Sequence, residues 1–402
     1  MTLIRLWIGI VVASLICLDE SVNVFADDTS KKLEIKNASE STTGASGNSE
    51  NPISNPATPK AKPDALNSKK NVDPLLERVE KAIEISSRRI LTAGAHTPWQ
   101  ILHGILAYRH NFTITMDGTK LSALNWLTDD ARFQGIPLFE VTEYGGRAHP
   151  YTQPNVFEGH PNQFLAILAI SNLNRNYKFQ AGDRTITISD LIKNAQMQVS
   201  SNEEITWTLW GLSHYLSPEA RWTNYYGEPW SIERLVNIQT DESTSGAACG
   251  GTHGLFALTY ARNRYLQGQK PLRSAWFEAD QKIKQYIEYT NSLQNEDGSF
   301  SSSFFEGPQY TYDFTERLAT SGHTLEWLML ALPQNSFNEE WVRRGVSAIA
   351  TDLIEHQSEP IACGPLYHAV HGLILYRDHV RPSIQKSVEQ NFANEDTIDK
   401  DS

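Results

Sequence analysis

Apolar and polar positions alternate along the chain in blocks of helical length. Six blocks are apolar on nearly every side: 97–110, 160–173, 202–216, 248–266, 321–332 and 363–377. A helix with apolar residues all round is one that is buried on most sides. Each block follows a more charged segment: 73–91, 119–127, 189–199, 229–241, 273–294 and 337–356. In 273–294, Trp276, Ile283, Ile287 and Leu293 form an apolar stripe among charged residues, the pattern of a helix half-turned to water. Thr97-Pro98-Trp99-Gln100 and Ser201-Asn202-Glu203-Glu204 read as capping boxes, and Pro98 and Pro161 suit a first helical position. Short β pieces are expected near 112–116 and 184–188, in surface hairpins.

Charged-then-apolar pairs repeated six times predict an all-α chain: an α/α toroid of about six helical hairpins with short β-hairpin insertions. The apolar helices would form an inner ring and the charged ones an outer ring. The long connections 128–159 and 295–320 both lead from an outer to an inner helix, so both would emerge on the rim where the inner helices begin. Long loops on a rigid scaffold are where function concentrates.

The ends differ from the middle. Residues 1–26 carry one Arg, an apolar run from Leu6 to Leu18 and a Val24-Phe25-Ala26 exit, the plan of a signal peptide. That run is shorter than the roughly 20 residues of a membrane span, so no stable span is expected after cleavage. Residues 27–72 are rich in Ser, Asn, Pro, Lys and Thr and read as a disordered linker, and 382–402 as a disordered acidic tail. The domain is then 73–381. The leader places the protein outside the cytoplasm, in the periplasm or beyond the cell. The net charge of −12 argues against nucleic acid as a partner. Outside the leader only Cys249 and Cys363 remain, too few for a disulfide framework.

"YTNSLQNEDGSF" (289–300) resembles the Gln-x-x-x-Gly-x-Trp repeat of terpenoid cyclases, with Phe300 at the Trp position. The resemblance implies the toroid fold shared with protein prenyltransferases, and one fold hosts many chemistries. Only Thr128-Asp129-Asp130 comes near the Asp-x-Asp-Asp acid of the protonating cyclases. Prenyltransferases and lanthionine synthetase cyclases hold zinc through Cys and His, and Cys249, His253, Cys363 and His371 are similar in type though not in motif.

The residues themselves offer several candidate sites. "ACGGTHGLFALTYARNRY" (248–265) is partly repeated at 362–379 and at 103–110. Thiolate and imidazole are good zinc ligands, so Cys249, His253, Cys363 and His371 form a candidate metal set, with His368 nearby. The same residues could equally serve as small or capping groups between crowded helices. His103, His160, His253, His323 and His371 each fall near the start of a different apolar block, where they would line one cavity as acid–base groups. The loop 143–160 offers Arg147, Tyr151 and Glu158, and the loop after 304 offers Tyr312, Asp313 and Glu316 before Trp327. Asp313 and Glu316 are candidate catalytic acids. Trp99, Arg147, Tyr151, Glu158, Tyr312 and Trp327 are candidate contacts to a small molecule or glycan. Three functions remain open: an enzyme acting on a ligand in the cavity, a carbohydrate-active lyase or hydrolase, and a non-catalytic binding module.

Overall fold

The structure, a computed structural model, describes residues 73–150 and 155–398. The expected leader 1–26, the linker 27–72 and Tyr151 lie outside the described residues. Twelve α-helices occur among those described, with five small sheets. The more charged helices are α1 (Pro74–Ser87), α3 (Ala123–Thr128), α5 (Ile188–Gln198), α7 (Ile232–Asp241), α9 (Ser274–Ser292) and α11 (Glu340–Glu355). They alternate with α2 (Pro98–Tyr108), α4 (Gln163–Ile170), α6 (Thr206–Tyr215), α8 (Thr252–Leu266), α10 (Phe314–Ala331) and α12 (Cys363–Ile398). Every expected segment thus holds its helix. The backbone of α12 continues past residue 381, where the sequence pattern had placed the start of a loose tail.

Helix character decides position. From Gln163 to Ala169, α4 is buried on every side, and α6 is buried from Thr206 to Ser213. By contrast α1 buries Leu75, Leu76, Val79, Ala82 and Ile83 and turns the residues between them to water. The apolar helices touch in chain order: α2 against α4, α4 against α6, α6 against α8, α8 against α10 and α10 against α12. Then α12 packs back on α2, so the succession of contacts closes. The α10–α12 approach is especially close. A Cβ on Gly322 would lie 2.8 Å from that of Ala369, and one on Gly372 would lie 3.0 Å from the Glu326 nitrogen. Both glycines neighbour a histidine in sequence, so they bring histidine-bearing backbones together.

Helix starts follow the capping chemistry only in part. Thr97 and Gln100 make the expected capping box on α2. The second expected box does not form: α6 begins at Thr206 with no side-chain cap, leaving Glu204 free for another partner. Pro161 lies outside α4, whose N-cap is Asn162 in a left-handed conformation. The hairpins 113–116/119–122 and 178–181/184–187 sit where β pieces were expected. The connection after α3 folds into two more hairpins, 132–133/136–137 and 139–142/145–148.

Candidate metal centre

At the entrance to α8, residues Cys249, Gly250 and Gly251 all adopt left-handed backbone, with φ of 48°, 61° and 77°. The turn ends the preceding loop abruptly and keeps Cys249 outside the helix, so the i, i+4 relation to His253 expected on one continuous helix does not apply. The Thr252 hydroxyl donates to the Cys249 carbonyl at 2.8 Å and fixes the turn. Gly250 is required twice over: its φ is positive, and a Cβ there would stand 2.2 Å from the Phe304 ring.

The turn delivers Cys249 to His253 on α8 and His323 on α10. Donor atoms of these three residues all lie within 4.8 Å of one another. Around them crowd further imidazoles. His368 of α12 stacks on His323 with ring centroids 3.9 Å apart, and lies 5.2 Å from His253 and 5.3 Å from His103 of α2. His160, just before α4, lies 6.1 Å from His253.

Hydrogen bonds fix which nitrogen carries the proton. His103 Nδ1 lies 2.7 Å from the Trp99 carbonyl and His323 Nδ1 lies 2.6 Å from the Ala319 carbonyl. A carbonyl only accepts, so each Nδ1 donates and each neutral ring keeps its lone pair on Nε2. His368 Nδ1 donates to Glu326 at 2.7 Å and His160 Nδ1 donates to Glu204 at 2.6 Å. Four rings therefore share one tautomer. His253 differs: both of its ring nitrogens are buried without a hydrogen-bond partner among the described residues.

Burial opposes protonation of three of these imidazoles. It pushes His103 and His323 down to about 3, with the neighbouring His368 adding to the shift. Burial, helped by the surrounding histidines, lowers His253 well below the usual range. Glu326 is only 3% exposed and accepts from His368 and, at 2.5 Å, from His371. Burial opposes its charge, but the two imidazoles prevail and hold it ionised below the normal carboxylate range.

Several sequence candidates stand elsewhere. His371 is not a member of the three-residue donor group; its Nδ1 is committed to Glu326. Cys363 is also outside that group, buried at the start of α12 among core residues. Asp313 is the N-cap of α10, accepting from the backbone of Thr315 and Glu316, and Glu316 accepts from Thr311. Tyr312 is 90% exposed. Trp327 is wholly buried and donates to Thr259, a core position with no ligand-facing surface. Arg147 pairs with Glu140 across a hairpin. Glu158 is buried and accepts from the Phe164 N–H at the start of α4; burial pushes its carboxyl up to about 8. Among the described residues, Trp99 is the one proposed contact that reaches the cluster, its ring 3.9 Å from His103.

The role of Glu326 was missed from sequence. It lies three residues after His323, and His368 and His371 are separated by the same step, so each pair shares a helix face. Matching i, i+3 pairs on consecutive apolar helices were the available signal.

Compared with known protein families, with curated proteins and with solved structures, the chain matches none.

Proposed function

We propose that this chain is a metal-dependent enzyme on an α/α toroid, similar in plan to the terpenoid cyclase and prenyltransferase toroids, acting outside the cytoplasm on a small ligand. The observation that carries the proposal is the group of Cys249, His253 and His323, whose donor atoms lie within 4.8 Å of one another amid further imidazoles. Both ring nitrogens of His253 are buried without a partner among the described residues, which is costly. A cation held by His253, His323 and Cys249 would answer its lone pair. Donation of the outer N–H to a carbonyl or carboxylate is also how metal-binding histidines are held.

The donor set fits zinc. Cys249, His253 and His323 would supply one sulfur and two nitrogens, and three protein ligands leave a position open. Bound zinc supplies Lewis acidity and an acidified water, which suits hydrolysis or addition. His103 and His368 lie beside this group, and Glu326 holds His368 in place. The polar lining favours this reading over an apolar cyclase cavity. The two candidate carboxylates for a glycosidase, Asp313 and Glu316, are a helix cap and its loop partner, which counts against the carbohydrate-active reading.

Metal analysis of the purified protein tests the proposal. About one equivalent of zinc is expected, lost in Cys249→Ser and His323→Ala and retained in Cys363→Ser. Folded wild-type protein that takes up no zinc, cobalt or nickel would sink it.

A further inference from the structure

A second cluster of charged side chains lies where the apolar helices end. Arg109 follows the last residue of α2, His214 is in the last turn of α6, Arg264 is in the last turn of α8, and Arg377 and Asp378 lie beyond His371 on α12. Helices α2 and α8 are first and fourth in the closed succession of contacts, yet the Arg109 charge acts on Tyr260 of α8, as does that of Arg264. The Tyr260 hydroxyl lies 2.6 Å from His214 Nδ1, and Arg264 donates to the His214 carbonyl at 3.4 Å. Burial, with Arg264 adding to it, pushes the His214 ring down to about 4, so it carries no charge near neutral pH.

The guanidiniums outnumber their acceptors. Arg377 spends Nε and Nη2 on one Asp378 oxygen, at 2.9 and 2.8 Å. Arg264 gives Nη1 to Gln267 at 2.8 Å. Arg109 lies 3.9 Å from the other Asp378 oxygen, beyond a hydrogen bond, and its side chain makes none among the described residues. Asp378 is the one carboxylate among the described residues that acts on Arg109. Three guanidiniums beside one carboxylate leave two positive charges over, in a chain whose net charge is −12. Carbonyls at helix ends would repel an anion, but here they are answered from within. His110 donates to that of Ser171 at 2.6 Å, Arg264 to that of His214, and Asn263 to that of Leu330 at 3.0 Å.

Arg109 also holds a costly backbone. Its φ of 54° and ψ of −128° lie outside the left-handed helical basin, in a region that glycine enters far more readily. Glycine is the residue that commonly ends a helix with positive φ. An arginine kept there, half-buried and with its guanidinium unbonded, gives folding nothing that a glycine would not give with less strain. We propose that Arg109, Arg264 and Tyr260 hold a doubly charged oxyanion, either free phosphate or the phosphate group of a small ligand, where the apolar helices end. Guanidinium forks match phosphate oxygens, and such charge-assisted bonds are the stronger kind. A phosphate dianion balances both spare charges. A carboxylate balances one, and an ammonium meets like charge. The site shares no residue with the Cys249–His253–His323 group and does not depend on the metal reading.

The test titrates the full chain calorimetrically at low salt with inorganic phosphate, phenyl phosphate and acetate. Phosphate is expected to bind at least about tenfold more tightly than acetate. Arg109→Gly should weaken phosphate at least about tenfold and, by relieving the backbone, leave the urea midpoint of the phosphate-free protein unchanged or higher. Arg264→Gln should weaken phosphate as well. Tighter phenyl phosphate would assign the site to a phosphate ester, and tighter inorganic phosphate to the free ion. Equal binding of acetate, or a phosphate affinity indifferent to Arg109→Gly, would overturn the proposal. So would a lower midpoint in Arg109→Gly, which would make the arginine a structural residue. Phosphate binding lost in Cys249→Ser but kept in Arg109→Gly would place the anion at the metal centre and overturn it too.

Discussion

Glu326→Gln probes the centre without touching a proposed ligand. The wild-type carboxylate accepts two N–H groups, from His368 at 2.7 Å and His371 at 2.5 Å. Glutamine has nearly the same shape but one acceptor oxygen. One imidazole must then face an amide NH2, and it must either give up its proton at Nδ1 or lose its bond. A bond to a charged group contributes about 1.5–3 kcal/mol, and a stranded buried donor costs a similar amount. The metal-free variant should therefore unfold at a lower urea concentration, by about 2–3 kcal/mol. Zinc affinity, measured by competition with a chromophoric chelator, should fall by less than the roughly 10–100-fold cost of removing a group bonded to a ligand, because Glu326 acts through His368, which stacks on His323. The pH dependence has a definite sign. The folded carboxyl titrates below its ordinary value of 4.5, so its contribution is present above that pH and lost as pH falls through the folded value. The gap between wild type and variant should narrow below pH 4.5 and not above it. A variant with unchanged zinc affinity and unchanged unfolding would show that Glu326 does not organise these histidines.

Three further outcomes follow from individual contacts. Glu158 titrates at about 8 when folded, against 4.5 as an ordinary glutamate; the unfolded chain releases its proton first, so wild-type stability should fall between those pH values. Glu158→Gln should flatten that decline by a few kcal/mol in denaturation at pH 5 and pH 9, and an unchanged slope would refute the assignment. Gly250→Ala should weaken zinc binding with Cys249 intact, because the new Cβ meets Phe304 at 2.2 Å in a backbone conformation that alanine disfavours; unaltered affinity in the chelator assay would show that the turn does not set the thiolate. Gly104→Ala places a Cβ 2.1 Å from the buried Phe112 ring. It should cost about 1–3 kcal/mol net of any gain in helix propensity, seen as a lower denaturation midpoint, and a rise in that midpoint would mean the ring moves freely.

Helix order was legible because the two helix types have different surroundings. An α4 made of Phe, Leu, Ala and Ile cannot face water, and an α1 with charges between its leucines cannot be enclosed. What the pattern hid was where polar residues begin a helix. Asp313-Phe-Thr-Glu316 has capping-box spacing before an apolar run, and Asp313 does cap α10. Reading those acids as catalytic started α10 seven residues late and put His323 in its first turn, whereas it lies half-way along. The Cys249 turn was hidden for another reason. Three successive left-handed residues depend on what Phe304 and Thr244 allow from elsewhere in the chain, not on any local period. Histidine positions could be read from the apolar blocks, but which rings meet depends on the side chains each helix turns to its neighbour. So His323 joined the donor group in place of Cys363 and His371.

The orienting groups also account for charge. His103 and His323 are held by carbonyls of their own helices, four residues back, which adds rigidity at no net charge. His368 is held by a buried carboxylate from the adjacent helix. With His103, His253 and His323 neutral, Glu326 adds a negative charge beside the group, and a Cys249 thiolate would make a second. Two negative charges, that of Glu326 buried and that of Cys249 partly so, are unfavourable together unless a cation is present. A divalent ion balances both, and binding it would release the thiol proton, so affinity should rise with pH. A monovalent ion would leave one charge uncompensated. Glu326 lies outside the three-residue donor group, where it adds charge and holds His368 in place.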